Sequence, residues 1–333
     1  MRKLNWGVLS TAKIGREKVI PPMMKGQRTT VVALASRDLA RGQEVAGALG
    51  IPRVHGSYEA LLADPEVEAV YNPLPNHLHV EWTRKAAEAG KHVLCEKPID
   101  ITARGAEELI AVRDRTGVHI QEAFMVRTHP QWLRARELVQ GGRIGALRAI
   151  YGHFSYYNVD PGNIRNMADI GGGGLLDIAC YPITTSRFVT GQEPRRVAAV
   201  IDHDPVMRTD RLGSAILDYD GVQCIFTWST QLNPRQTMQL MGDKGRIEVE
   251  IPFNAPPDRP CRLFVYDAGE QGTHVAETIE IPTCDQYGVA GDAFSAAIMD
   301  GTPQPVPLED TLLNMRVIDA VRKAGETGQW EKP

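Results

Sequence analysis

The sequence predicts an α/β protein in two parts: a parallel sheet flanked by helices over residues 1–123, and an α/β domain built on a large, mainly antiparallel open sheet over residues 124–333. Three observations predict it. Short, near-continuous apolar runs alternate with helical segments in the first part, as strands buried on both faces do. After Gly141 the pattern changes to longer strand-like runs joined by hairpin signals. The chain is also 333 residues long, beyond the roughly 250–300 residues at which a single core stops growing.

In chain order, Leu4 to Ser10 reads as the first strand, followed by a turn and a helical stretch to Met24. Thr30 to Ala35 is a second strand and Leu39 to Leu49 a helix. Val67 to Tyr71 is a third strand, ended by Asn72-Pro73-Leu74-Pro75-Asn76. A helix over Val80 to Ala89 stops at Gly90. His92 to Cys95, the helix Ala103 to Thr116 and the strand Val118 to Ala123 complete the series. In such a sheet ligands bind at the carboxyl ends of the strands, and Ser10, Ser36-Arg37, Asn72 to Asn76 and Lys97 all fall there.

In the second part, Leu147 to Tyr157 is a long strand. Leu212 to Tyr219 and Val222 to Trp228 flank Asp220-Gly221, and Gln236 to Met241 and Arg246 to Ile251 flank Gly242-Asp243-Lys244-Gly245; both read as hairpins. Residues 252–260, with four prolines, form a loop before the strands Arg262 to Asp267 and Glu277 to Ile281. Helices are expected over Gln131 to Val139, Leu175 to Val189, Gly291 to Asp300 and Leu308 to Glu326.

Bulk properties exclude several function classes. Hydrophobic residues make up 43% and charged residues 23%, with a net charge of −4, so no basic footprint for nucleic acid exists. The start of the chain is too short and too polar to be a signal peptide, and no apolar run approaches the ~18 residues of a membrane span. Five scattered cysteines point to reduced thiols in the cytoplasm. Neither Cys-x-x-Cys nor His-Glu-x-x-His occurs, so no metal is expected. The expected partner is a small molecule.

The turn after the first strand reads Ser10-Thr11-Ala12-Lys13-Ile14-Gly15, a worn form of the dinucleotide fingerprint in which only the last glycine survives. Small residues still admit a pyrophosphate to a helix N-terminus, which assigns Ser10, Thr11, Ala12 and Ile14 to cofactor binding. At the end of the second strand, Ser36-Arg37 stands where an NAD site carries an acid; a hydroxyl and a guanidinium suit the 2′-phosphate of NADP. Asp38 either reaches a ribose hydroxyl or caps the following helix.

Two further stretches carry chemistry. His92-Val93-Leu94-Cys95-Glu96-Lys97-Pro98 is a strand that stops at a lysine. Gly171 to Gly174 open into Leu175-Leu176-Asp177 and Tyr181, an acid and a phenol on one helical face, with Pro182 disturbing the helix there. The glycines leave the loop free to approach a ligand closely. Together with Asn76, His79 and Glu122-Ala123-Phe124-Met125, these motifs resemble the glucose–fructose oxidoreductase and inositol dehydrogenase family. The likeness runs over most of the chain and is nearest to the branch of NADP-dependent D-xylose dehydrogenases and dimeric dihydrodiol dehydrogenases.

The resemblance implies a Rossmann domain followed by a domain whose open sheet serves homo-oligomer formation. It implies that Lys97 lies beside the nicotinamide and the substrate hydroxyl, and that Glu96, Asn76 and His79 border the cofactor; a helix-surface role is the alternative for His79. Tyr181 stands where many relatives have histidine, so the acid/base is a phenol. With a free pKa near ~10 a phenol is a poor base at neutral pH, and a neighbouring ammonium favours its ionised form. Asp177 would orient the substrate hydroxyls or Lys97. Arg127 is at the ligand end of the fifth strand, and Tyr157, Asn163 and Arg165 precede the glycine run; each lines a sugar pocket or serves its own loop. His129 follows Arg127 at the same ligand end, with binding of the local backbone as its alternative, and His153, inside a strand, is read as structural. The expected activity is NADP-dependent oxidation of an aldose at C1, with oxidation of a cyclic trans-diol or reduction of a sugar ketone as enzyme alternatives. A non-catalytic NADP-binding regulator is the alternative of another class.

Overall fold

Leu4–Leu9 is buried along nearly its whole length, as a strand covered on both faces must be, and this strand, β1, pairs in parallel with a neighbour on each side. The structure, a computed structural model, describes residues 2–269 and 275–333. Around β1 stand β2 (Thr29–Ala35), β3 (Arg53–His55), β4 (Ala69–Asn72), β5 (His92–Cys95) and β6 (Ile120–Glu122), in the parallel order β3-β2-β1-β4-β5-β6. The order reverses between β1 and β4, and the strand ends at such a switch point form a ready-made crevice.

Helices α2 (Leu39–Leu49), α4 (His79–Glu88) and α5 (Ala103–Thr116) fall where the sequence pattern places them. The first helical stretch divides into a π turn, Gly15–Val19, and α1 (Ile20–Lys25). Two elements escape the pattern. β3 is a three-residue edge strand without a fully buried side chain, and α3 (Tyr58–Leu62) is five residues long, too short to show a helical period.

The chain forms two compact units, residues 1–128 with 285–312, and residues 129–284 with 313–333. Residues 285–312, grouped with the second part from sequence, thus belong to the first unit. The reason lies in α8 (Gln286–Asp300). Its Phe294 meets the Trp6 ring at 5.9 Å between centroids, Trp6 Nε1 donates to Ser295 Oγ at 3.2 Å, and Asp292 accepts the backbone N–H groups of Gln27 and Arg28, both at 2.8 Å.

The second unit contains α6 (Pro130–Gln140), β7 (Leu147–Tyr157), α7 (Cys180–Thr190) and the strands β8 (Arg196–His203), β9 (Asp210–Asp218), β10 (Gln223–Ser229), β11 (Gln231–Gly242), β12 (Gly245–Val249), β13 (Cys261–Asp267) and β14 (Val275–Ile281). The final helix, α9 (Leu308–Thr327), belongs to this unit from residue 313. The sheet order is β14-β13-β12-β11-β7-β10-β9-β8, antiparallel throughout except where β10 meets β7. Both expected hairpins form, joining β9 to β10 and β11 to β12. β8 is an edge strand with Val197 its one buried residue, so it leaves no hydrophobic alternation to read. Among the described residues no helix is long and apolar enough to cross a membrane.

Gly213 of β9 lies against a fully buried indole: a Cβ there would stand 2.2 Å from Trp228 Cζ2. Trp228 is anchored through Nε1 to Asp210 at 2.8 Å and cannot swing aside. Gly213→Ala is therefore expected to cost about 1–3 kcal/mol of stability by overpacking, read as a lower urea midpoint.

Candidate active site

Lys97 lies two residues past the end of β5, and the backbone on both sides of it is held by buried polar groups. Before it, the N–H of Glu96 donates to the carbonyl of Asn72 at 3.0 Å, and the Glu96 carboxylate accepts from the Tyr71 hydroxyl at 2.6 Å. Burial and the Glu96 charge push Tyr71 well above the usual phenol range, so it remains a donor. After it, the carbonyl of Pro98 faces His79 Nδ1 at 2.7 Å and the N–H of Ile99 donates to Glu122 Oε1 at 2.8 Å. Asn72 ties the neighbouring strand end: its Nδ2 donates to the His79 carbonyl and Thr83 Oγ1, and its Oδ1 accepts from Leu74.

His79 is corrected by this geometry. It has no exposed surface, so it is not a helix-surface residue, and its Nε2 faces the Leu74 carbonyl at 2.6 Å. Burial holds its pKa down at about 4, so the neutral ring has one N–H for the two carbonyls, of Leu74 and Pro98, that its nitrogens face. Its influence on a bound cofactor passes through that backbone. Asn76, half-buried, opens the short turn Asn76–Leu78 before α4.

At the end of β1 the structure shows how serine stands in for the first fingerprint glycine. Ser10 has φ 73°, in the left-handed region that side chains usually avoid. Its hydroxyl accepts the N–H of Ala12 at 3.2 Å and its own N–H donates to the Ala35 carbonyl at 2.8 Å. Thr11, Ala12 and Ile14 line the turn half-buried. At the end of β2, Ser36 is buried and accepts from Asp38 N–H at 3.2 Å, while the Asp38 carboxylate caps α2 by accepting from Arg41 N–H at 3.0 Å. Of the two roles open to Asp38, the cap is the one the structure shows. Arg37 is exposed and within hydrogen-bonding reach of the Tyr58 hydroxyl. A switch-point crevice, a turn opening onto a helix and an exposed guanidinium at the second strand end fit a dinucleotide carrying a 2′-phosphate.

In the second unit the residues from Leu175 to Ala179 form a π turn, followed by α7 with Pro182 in its first helical turn, where a missing N–H costs little. Asp177 Oδ2 accepts from the Tyr156 hydroxyl at 2.8 Å and from Arg165 Nε at 2.9 Å. The carboxylate beside Arg165 holds that guanidinium firmly charged, and burial with the same carboxylate keeps Tyr156 protonated. Tyr181, only 4% exposed, packs against Phe154 and Phe253 with ring centroids 5.7 and 5.4 Å away. Arg165 is near enough to feel a charge on Tyr181 as well. Acid, guanidinium and phenol thus form one group.

The glycine run makes its close approach inside the protein. Gly173 has φ 123°, and a Cβ there would meet Asp210 Oδ1 at 1.9 Å. Asp210 Oδ2 accepts from Leu175 N–H at 2.5 Å and Trp228 Nε1 at 2.8 Å, so it seats the turn that carries Asp177 and Tyr181. Sequence reasoning missed both Asp210 and Tyr156. For Tyr156 the signal was the two-residue period of β7, which puts it on the face of Phe154; for Asp210 no local signal exists.

The remaining expected residues lie outside this group. Tyr157 is on the opposite face of β7 and 65% exposed. Asn163 Oδ1 accepts the N–H of Arg165 at 3.1 Å, shaping the loop. Arg127 is ion-paired with Asp310 in the first unit. His129 caps α6 through Nδ1 and His153 bonds Ser155 Oγ at 2.9 Å. Among the described residues there is no cluster of three or more metal-ligating side chains.

Residues 4–124 match the profile of the oxidoreductase family with an NAD-binding Rossmann fold, and residues 132–248 that of the GFO/IDH/MocA C-terminal domain. The chain belongs to the GFO/IDH/MocA oxidoreductase family. It is an NAD(P)-dependent oxidoreductase of a sugar-related family. An uncharacterized oxidoreductase of Rhizobium meliloti is 47% identical over 99% of both chains, and a D-xylose 1-dehydrogenase (NADP(+)) of Haloferax volcanii is 38% identical over 97% of this chain and 98% of its own. A 3-ketoreductase from Actinomadura kijaniata, solved with NADP and TDP-benzene, superposes with a TM-score of 0.89 at 32% identity, covering 97% of this chain and 98% of its own. Variants of that ketoreductase with a tyrosine or a lysine replaced give similar structures.

Burial pushes the Asp210 carboxyl up to about 6 from its ordinary 3.8. The folded oxidoreductase therefore binds the proton more tightly than the unfolded chain, and stability from this group falls as pH rises from 3.8 to about 6. Asp210→Asn keeps an acceptor for Leu175 and Trp228 and removes the titration. Thermal melts should show the wild type losing roughly 2–3 kcal/mol relative to the variant across that window.

Proposed function

We propose that this chain is an NADP-dependent dehydrogenase that oxidises an aldose at its anomeric carbon, with Lys97, Tyr181 and Asp177 as its catalytic residues. The observation that carries the reading is the grouping of Tyr181, Asp177 and Arg165 beside the glycine run, in a chain of this family that carries Lys97 two residues past β5. Arg165 stabilises negative charge developing on the Tyr181 oxygen. Asp177, held by Tyr156 and Arg165, presents a carboxylate to substrate hydroxyls.

NADP⁺, when bound, supplies the hydride acceptor. Ser10, Thr11, Ala12 and Ile14 hold its pyrophosphate at the first turn, Ser36 and Arg37 take its 2′-phosphate, and Asn76, Glu96 and Lys97 border it. Tyr181, as the phenolate, takes the proton of the anomeric hydroxyl while the hydrogen on C1 leaves as hydride to the coenzyme, giving the lactone. Lys97 stabilises the oxygen as charge builds on it. A sugar ketone is the alternative substrate, reduced by hydride from NADPH with Tyr181 giving its proton to the alkoxide formed, and the likeness to the Actinomadura ketoreductase supports that alternative.

The enzyme is proposed to work in the cytoplasm, where its five free cysteines stay reduced, and as a homo-oligomer. Support for the latter is the sheet face turned away from the helices, where Ile216, Ile225 and Tyr151 lie side by side on adjacent strands and Tyr151 is 45% exposed.

NADP⁺ reduction with a panel of aldoses and diols tests the reading. Lys97→Ala and Tyr181→Phe are each expected to lower kcat by about 100-fold or more while leaving circular dichroism unchanged. Arg37→Ala should raise KM for NADP⁺ about tenfold and leave that for NAD⁺ nearly unchanged. Full activity in the Lys97 or Tyr181 variant would remove that residue from catalysis.

A further inference from the structure

Glu122 ends β6 with no exposed surface, in register with Cys95 of β5. The Pro98–Ile99 peptide beside it is gripped at both ends: its N–H by Glu122 Oε1 at 2.8 Å, its carbonyl facing His79 Nδ1 at 2.7 Å. Glu122 Oε2 and the Thr311 hydroxyl each lack a partner at hydrogen-bonding distance, and Thr311, which lies toward the carboxyl, favours its ionised form by turning its O–H to it. A carboxylate with no exposed surface is costly to ionise even where a hydroxyl can turn toward it. Among the described residues the titratable groups facing Glu122 include Lys97, which favours its ionised form, Asp310, which opposes it and is itself paired with Arg127, and the buried Cys95 thiol. Burial outweighs the Ile99 N–H, the Thr311 hydroxyl and the lysine, and pushes the carboxyl up to about 8.

We propose that Glu122 is the positioning residue for Lys97 and a charge switch beside it: as a neutral acid it fixes the Pro98–Ile99 peptide, and on losing its proton it sets a buried negative charge next to the Lys97 ammonium. No part of the proton relay passes through Glu122. Ionised, it holds the ammonium charged more firmly and offsets the positive field Lys97 offers the reacting oxygen. The consequence for turnover rests on the catalytic role proposed above for Lys97; the effect on the lysine itself does not.

Competitive acylation with acetic anhydride, read at Lys97 by peptide mass spectrometry on the full chain, separates the two. Above the carboxyl's transition at about 8, Lys97 of the wild type is expected to react about tenfold more slowly than Lys97 of Glu122→Gln. Below the transition the two should match. Superimposable profiles would overturn the proposal. Should Glu122→Gln fail to fold, infrared spectroscopy of the wild type decides: a protonated-carboxyl band that vanishes as pH rises through the transition supports the switch, and a group ionised throughout overturns it. In the enzyme assay, kcat of the wild type should fall below that of the variant above the same transition. A positive acylation result without turnover of any sugar or diol would leave the Glu122 assignment standing and sink the proposed function.

Discussion

The peptide between Pro98 and Ile99 is held by two side chains, His79 and Glu122, that have no exposed surface, and the placement of Lys97 depends on that grip. Backbone polar groups taken out of water must find partners, and here the partners come from three different elements. β6 supplies Glu122, α4 supplies His79, and the end of β4 supplies Asn72, whose carbonyl receives Glu96 N–H at 3.0 Å. A parallel sheet makes this possible because its strands end together at one edge. The long, flexible lysine side chain thus starts from a backbone with little freedom of its own.

The second unit solves a similar problem with charge. Asp177 is the shared acceptor of Tyr156 and Arg165, and a carboxylate between two donors keeps both in place. Asp210 works at one remove, tying the turn to the indole of Trp228. The crowded glycines record the cost of that arrangement, since a side chain at residue 173 would occupy the space of the Asp210 carboxylate. Burial drives Asp210 and Glu122 the same way, toward the protonated acid.

Much of this was legible in the sequence, and for a physical reason. Strands buried on both faces must be apolar along their length, so β1, β2, β5 and the residues at their ends stood out. Lys97, Asp177 and Tyr181 were readable because motifs carry them. The buried groups that position them were less so. His79 belongs to a motif, yet nothing local shows that its ring is wholly enclosed. Tyr156 and Tyr157 are adjacent, and only the phase of the pleat tells which of them reaches Asp177. Asp210 lies 33 residues beyond Asp177 in the chain (210 − 177) and meets its turn only through sheet pairing. The edge strands β3 and β8 bury too little to leave a pattern.

The measurement that bears most directly on the chemistry uses an aldose deuterated at the anomeric carbon, with D-xylose tried first because a relative acts on it. The enzyme and NADP⁺ are incubated with the labelled sugar and the reduced coenzyme is analysed by mass spectrometry. Hydride transfer from C1 predicts one deuterium in each NADPH formed, with the lactone as the other product. Unlabelled NADPH, or no reduction with any deuterated aldose under conditions where NADP⁺ binds, would contradict it.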